Sequence, residues 1–471
     1  MFEVSKITLL VVFFALFLPQ ANLYWLNNAL EPRNLIERLK NFTRSLKNFE
    51  ETWTYYHDTV PSDAIGYKNF NCNISLGDSS FSEPYNVHSI RPGDVGVIAA
   101  LGDSLTAGNG AGGHTLADVA EEYRGVSFPV GGDGKLEDTV TLANIIRKYN
   151  PSLSGSSKGK ASVKFQPYSR FNVAIPGSRA KDMPDQAREL ISRIRRSPRL
   201  LRMWKVVTLF IGANDVCQYC IDEKDSGPGP EPVTSWISDI DEAISHEMCK
   251  ILHQFECPCV SSDYENHSRS DQINHLYQSR LYDLPGKYEK WDFTVVVQPF
   301  MTNILVPINA EKNQGDLSYL APDCFHFSRR SHQAAALSLW NNMIQPLGEK
   351  DSSIDPSIVH LECPDEDCPY LRTSANSINC SIEPITSVSR PHSALWSDTR
   401  FLNFYADSAA EVNAGAGPAI WIFASLIAAF IFGMVIMYCS YRKRFTTSRV
   451  KNADENTPLI MRSMNDLTVG Q

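Results

Sequence analysis

The stretch Leu101–Gly110, LGDSLTAGNG, follows an unbroken apolar run, Val95-Gly-Val-Ile-Ala-Ala-Leu101. A run without polar interruption reads as a strand buried on both faces, the kind found inside a parallel sheet. A serine placed directly after such a strand, among glycines, sits on a tight turn at the strand's C-terminal end. Open α/β sheets place their chemistry there. Any helix that follows would aim backbone N–H groups at the same point. Ser104 is therefore a candidate nucleophile. It then needs a base, a carboxylate to orient the base, and fixed donors for an oxyanion.

From Pro92 onward strands alternate with helical stretches. Phe171–Ile175 reads as a short strand ending in Pro176-Gly177-Ser178, and Trp204–Ile211 as a continuous apolar strand ending in Gly212-Ala213-Asn214-Asp215. Trp291–Val297 is a fourth strand candidate. Helices are expected around Val140–Ile146, over Asp185–Arg195, Val233–Phe255 and Ser331–Ile344. Buried strands separated by helices imply an α/β fold in three layers, with a mainly parallel sheet covered on both faces. Three insertions, 108–138, 150–163 and 217–232, lie on the side where the strands end and could frame a substrate site. The second is a polar loop of serine and lysine.

Of eleven histidines, His326 alone has an acidic residue three positions before it, in Asp323-Cys-Phe-His326. In a loop or helical turn this spacing lets Asp323 reach Nδ1–H and leaves Nε2 for Ser104. The segment follows the last strand and precedes the final helix, so it too can reach the sheet's C-terminal edge. Oxyanion donors are expected from the backbone N–H of Ser104, from Gly177, where a glycine permits close approach, and from the side-chain amide of Asn214. Taken singly these are a turn residue and a cap. Three successive strand ends offering Ser, Gly and Asn, with DxxH after them, are hard to explain as turns.

These blocks, GDSL at 102–105, Pro-Gly177, Gly-Ala-Asn214-Asp and Asp323-x-x-His326, resemble in order the four blocks of the GDSL/SGNH hydrolases. The phrases LGDSLTAGNGAG, EEYRGVSFPVGGDG, NVAIPGSRA, GANDVC, DCFHFS and CPYLRT are similar to the phospholipase B branch, over most of residues 85–375. The resemblance implies a flavodoxin-like α/β/α fold and no metal or other cofactor. It implies Ser104 as nucleophile, His326 as base and Asp323 as its partner. It also implies an oxyanion hole from Ser104, Gly177 and Asn214. Phospholipids and lysophospholipids are the implied substrates, hydrolysed by a carboxylic ester hydrolase. The branch includes tandem-repeat enzymes, whereas this sequence carries one such domain; that difference leaves the chemistry untouched.

Both chain ends are apolar. Ile7–Pro19 after Lys6 reads as a cleaved signal peptide, residues 1–21. Pro418–Tyr441 carries no charge and, at about 1.5 Å per residue, is long enough to span a bilayer. Arg442-Lys-Arg444 follows at once, so the positive-inside bias puts residues 442–471 in the cytoplasm. The expected organisation is a cap segment, 22–90, the hydrolase domain, 91–350, a cysteine-containing tail and stalk, 351–417, and one transmembrane helix, 418–441. That makes a type I plasma-membrane protein with an extracellular catalytic domain. Glu455 with Leu459-Ile460 resembles an acidic dileucine signal for a sorting adaptor, implying endosomal or lysosomal cycling.

Ten of eleven cysteines precede the span, an even number that allows up to five disulfides in an oxidising lumen. Sequons at Asn41, Asn73, Asn266 and Asn379 share that side, consistent with glycosylation. A net charge of −9 leaves no basic footprint for nucleic acid. Other patterns give way to context. Gly155-Ser-Ser157-Lys-Gly159 fits G-x-S-x-G but lacks a strand–turn–helix setting. Gly108–Gly113 fits a dinucleotide fingerprint but starts too far past the strand. Cys217/Cys220 with Cys257/Cys259 could hold zinc, though disulfides are expected there. Two other classes stay open: an esterase for glycan or small esters, and a surface binding protein on a hydrolase scaffold.

Overall fold

A computed structural model describes residues 65–222, 278–304, 314–354 and 360–380, with Arg44, Cys257, Asn274, Leu276, 307–309 and Pro356. All belong to one compact unit, Met1–Pro384; the second unit, Ile385–Gln471, contains none of them.

The centre is β1, Val95–Gly102, every residue of which is buried. On one edge it pairs in parallel with β2, Trp204–Phe210. On the other edge Ile98 N–H donates to the Ser154 carbonyl (2.9 Å), Ala100 N–H to that of Phe171 (3.0 Å), and Val173 and Ile175 N–H to those of Ala100 and Gly102 (2.9 and 3.2 Å). Residues 171–175 thus run parallel to β1, as their composition predicts. Even-numbered residues of β1 bond this edge and odd-numbered ones bond β2, so the strand is enclosed on both sides.

Its side chains divide the same way. Ile98 and Ala100 enter a large core with Leu142, Ile145, Ile146, Leu337 and Trp340. Val97, Ala99 and Leu101 enter a second core with Phe171, Val173, Leu190 and Ile194. A bulge sets this phase: Val95 faces Trp204 while Val97 faces Lys205, so Gly96 is an extra residue and Val95 joins Ile98 in the first core. Both faces of β1 are therefore covered, as expected, but β2 departs from the expectation of a strand buried on both faces: Val207 and Leu209 on it are exposed.

Five helices matter for the site: α1, Ser104–Ala107; α2, Leu142–Tyr149; α3, Met183–Arg195; α4, Ala213–Asp222; and α5, Arg329–Ile344. Thr141 caps α2 by accepting from Asn144 N–H (3.1 Å), and 142, 145, 146 and 149 form its apolar stripe. Helix α5, capped by Ser328, is buried at 332 and throughout 334–344, so it lacks a solvent face over that stretch. Trp340 is wholly buried, stacks on Tyr149 at 5.7 Å and donates Nε1–H to the Glu362 carbonyl (2.8 Å).

Two expectations need correction. Trp291–Val297 forms no ladder with β1 or β2. Its backbone is committed elsewhere: Lys290 N–H donates to the Phe293 carbonyl (2.8 Å), closing a turn, and Trp291 accepts from Val87 N–H (2.8 Å). The serine-lysine segment 150–163 is not simply a polar surface loop. Ser156 and Ser157 are buried, with Ser157 Oγ donating to the Arg124 carbonyl (2.7 Å), because each hydroxyl there finds an internal partner. The G-x-S-x-G serine is thereby a core residue.

Flanking segments pack on the same core. Tyr67, Phe70 and Val87 lean against it, Ile354 and Leu361 enter it, and Leu371 N–H donates to Ile90 (2.9 Å). Cys72–Cys363 and Cys368–Cys380 fasten these pieces, and Cys217–Cys257 fastens the start of α4. That last bond occupies two of the four thiols of the alternative zinc set. Among the described residues no helix is long and apolar enough to cross a membrane. Residues 1–21, the helix expected at 233–255, the span 418–441 and the dileucine motif lie outside the described residues.

The Cys72–Cys363 bond ties residues 291 positions apart. The double variant Cys72→Ser/Cys363→Ser should lose about 2–5 kcal/mol of unfolding free energy, read from guanidinium titrations of tryptophan fluorescence. An unchanged midpoint would mean that apolar packing alone holds the two segments.

Candidate active site

Strand β1 ends in a crowded place. A Cβ on Gly102 would come within 2.4 Å of both the Phe210 carbonyl oxygen and Thr106 Oγ1, so only glycine fits. The chain then turns into α1. Asp103 caps it, with Oδ1 accepting from Leu105 N–H (3.0 Å). Ser104 is the first residue of α1, and its hydroxyl lies 2.7 Å from His326 Nε2. On the far side of the ring, His326 Nδ1 lies 2.5 Å from Asp323 Oδ2. With the proton on Nδ1 donated to Asp323, Nε2 is the acceptor for Ser104 O–H.

The turn carrying His326 is tightly specified. Asp323 Oδ1 accepts from the N–H groups of Phe325 and His326, both at 3.0 Å, so both carboxylate oxygens are used. Cys324 between them has φ = 61°, a left-handed conformation costing a non-glycine residue roughly 1–2 kcal/mol. Bonds from Cys324 N–H to Ala321 (2.8 Å) and from Ala321 N–H to His326 (2.7 Å) hold it, and the Cys324 sulfur is in a disulfide.

Charges in this buried place shape each other. Burial alone pushes His326 down, but the adjacent Asp323 charge and hydrogen bond, with Asp103 behind, outweigh it and raise its pKa. Burial likewise pushes Asp323 up, and the His326 charge with three hydrogen bonds brings it below the ordinary carboxylate range. Asp103 is pushed up by burial to about 6, against its bond from Leu105 and the pull of His326. Its Oδ2 is buried without a hydrogen bond. His332, nearby, is lowered to about 3 by burial and then by His326. It stacks on Phe128 and accepts from Phe128 N–H (3.3 Å), a neutral core residue.

Gly177 and Asn214 stand where the sequence places them, at the ends of 171–175 and of β2. Gly177 has φ = +77° with open space around it, so the backbone angle requires glycine here. Asn214 Nδ2 donates to the Ser178 carbonyl (3.0 Å), which leaves its second N–H for another acceptor. Asp215 Oδ2 accepts from Ala180 N–H (2.9 Å), closing the same turn from the β2 side. The ends of three adjacent parallel segments thus carry Gly177, Ser104 and Asn214, with His326 reaching the middle one.

Three polar residues around the site escaped the sequence reading. Asp103 looked like part of a turn. Arg124 is fully buried and donates to the carbonyls of Ala161 (2.8 Å), Asn172 (3.0 Å) and Ala174 (2.7 Å), to Asn172 Oδ1 (2.8 Å), and to Glu122. It joins the 108–138 insertion to the strand before Gly177, and no periodic signal marks it. Gln186 sits on the buried stripe of α3, four residues before Leu190, where an apolar residue is the norm. That misplaced polarity was the available clue. Of the sequons, Asn73 and Asn379 are exposed, while Asn41 and Asn266 lie outside the described residues.

The family model of the GDSL-like lipases and acylhydrolases matches residues 98–339, just over half of the 471-residue chain. The chain belongs to this family. Among curated proteins it is similar to human "Phospholipase B1, membrane-associated", 38% identical over 338 residues, which are 64% of this chain and 23% of that protein. The mouse protein of the same name is 34% identical over 391 residues, 73% of this chain and 26% of that one. The rat protein is 36% identical over 351 residues, 65% and 24%. The chain thus spans about a quarter of the length of these relatives. No solved structure matches it.

The electrostatics predict two unlike histidines. In imidazole NMR titrations His326 should titrate above the ordinary value of about 6.5, while His332 stays neutral down to about pH 4, as its pKa near 3 requires. Asp323→Asn should bring the His326 midpoint down, since the raising charge is gone. A midpoint unmoved by that change would dissociate the two residues.

Proposed function

We propose that the chain is a serine ester hydrolase that releases fatty acids from phospholipids and lysophospholipids through an acyl-enzyme on Ser104. The single observation carrying this reading is the continuous relay from Asp323 through His326 to the Ser104 hydroxyl. In the first half-reaction Ser104 Oγ attacks the acyl carbonyl while His326 Nε2 takes its proton. The imidazolium then gives that proton to the departing alcohol. In the second half a water repeats the sequence and frees the acid. Asp323 keeps the ring in its Nδ1–H form and stabilises the imidazolium. The N–H groups of Ser104 and Gly177, with the Asn214 amide, receive the tetrahedral oxyanion. Phospholipid substrates are supported by family membership and by the printed name of the similar proteins.

The apolar ends complete the proposal. A leader at 1–21, a single span at 418–441 and the basic Arg442–Arg444 would hold the catalytic domain outside the plasma membrane, close to a lipid surface. Glycans on Asn41, Asn73, Asn266 and Asn379 and adaptor capture at Glu455, Leu459 and Ile460 belong to the same reading.

Ser104→Ala should abolish fluorophosphonate labelling and ester hydrolysis together; labelling at an unchanged rate would sink the assignment and favour a binding protein. Asn214→Ala should cost on the order of 10²–10³ in kcat. The base works only when neutral, so turnover should rise with pH through the raised His326 pKa and be lost below it. Phosphatidylcholine, lysophosphatidylcholine and an acetylated sugar, assayed side by side, decide the substrate; turnover of the sugar ester alone would replace the phospholipid reading.

A further inference from the structure

The ladder between β1 and residues 171–175 changes character at its last step. Ala100 exchanges bonds with Phe171 and Val173 in the ordinary parallel pattern. The next place, where Gly102 N–H would meet the Val173 carbonyl, is taken by a side chain: Gly102 N–H donates to Gln186 Oε1 (2.9 Å). The same amide returns a hydrogen bond from Nε2 to the Gly102 carbonyl (2.7 Å), which also receives Ile175 N–H (3.2 Å). Gln186 thus behaves as a short piece of strand inserted where 171–175 peels away toward Gly177.

The second Nε2 hydrogen goes to Ser178 Oγ (3.1 Å). Both Nε2 hydrogens are thus used, Oε1 accepts from Gly102 N–H, and the residue is 1% exposed. The two residues it joins matter. Gly102 lies two residues before Ser104 on β1. Ser178 directly follows Gly177. The Ser178 carbonyl, in turn, is the acceptor of Asn214 Nδ2 (3.0 Å). The three proposed oxyanion donors, which come from three different strand ends, are therefore tied to one buried amide on α3.

We infer that Gln186 is a positioning residue that fixes the spacing of these donors, and this rests on the hydrolase reading above. Its sequence position agrees. A glutamine on a stripe otherwise facing the second core would be costly to bury unless its amide were satisfied. Helix α3 spends a core position on a polar group because the strand ends must be spread and still held in register. An apolar residue there would fill the space but leave the Gly102 N–H without its acceptor.

The test uses Gln186→Leu, which keeps the bulk and removes the amide, and Ser178→Ala, which removes only the branch toward Gly177. Turnover is counted per Ser104 titrated by a fluorophosphonate, so that misfolded protein drops out. Gln186→Leu should lower kcat by up to about 10²-fold, the cost of a small misplacement of reacting groups, with KM nearly unchanged. Affinity for a trifluoromethyl ketone, which forms a tetrahedral adduct on serine, should fall in parallel. Ser178→Ala should act in the same direction and more weakly, and the double variant should cost no more than Gln186→Leu alone. Wild-type kcat per titrated serine in Gln186→Leu, or additive effects in the double variant, would overturn the assignment. Failure of Ser104 to label in the unaltered chain would instead bring down the hydrolase reading itself.

Discussion

Everything at the site hangs on the crowding around the end of β1. Gly102 is pressed between the carbonyl of Phe210 and the side chain of Thr106, and a single added carbon would push them apart. That closeness lets β2, β1 and residues 171–175 finish at one level and turn away in different directions. Three chain reversals then meet over a small area. Each reversal exposes backbone N–H groups that no strand can satisfy, and such groups suit a developing negative charge.

Holding charges beside that place is a problem of solvation. Asp323, His326, Asp103 and Arg124 are all withdrawn from water, and each is kept in a defined state by geometry. Asp323 stays ionised because the His326 charge faces it and both its oxygens are occupied. Arg124 tolerates burial because five acceptors surround its guanidinium. Asp103 is the exception. Burial lifts its pKa to about 6, against a bond to one oxygen while the other has none. Neighbouring charge together with hydrogen bonds, more than depth, decides ionisation here.

Much of this was legible in the residues. Strand β1 announced itself because a strand buried on both faces has nothing to alternate, whereas β2, equally apolar in composition, leaves Val207 and Leu209 exposed. Ser104, Gly177, Asn214 and the Asp323–His326 pair were legible because each sits at a break between a periodic segment and a turn. Trp291–Val297 misled because apolar composition alone fixes neither pairing nor burial: Trp291 and Phe293 are exposed, and the segment joins no ladder with β1 or β2. Segment 150–163 misled in the opposite sense, since serines read as solvent-loving, yet Ser156 finds the Arg147 guanidinium and Ser157 the Arg124 carbonyl. Arg124 and Gln186 could not be ranked from sequence, because their worth depends on carbonyls brought near by the fold and distant in the chain.

The bond between Cys72 and Cys363, whose Cα atoms are 5.2 Å apart, encloses nearly all of the described domain in one covalent ring. The chain just outside this ring stays on the same core, through Tyr67 and Phe70 before it and Leu371 after it. Tension reaching the two cysteines would fall on the sulfur bridge and bypass the strands enclosed between them. A unit wired in this manner can be hung from a single tether, or strung in series along a far longer polypeptide, while the strand ends that carry Ser104, Gly177 and Asn214 keep their spacing.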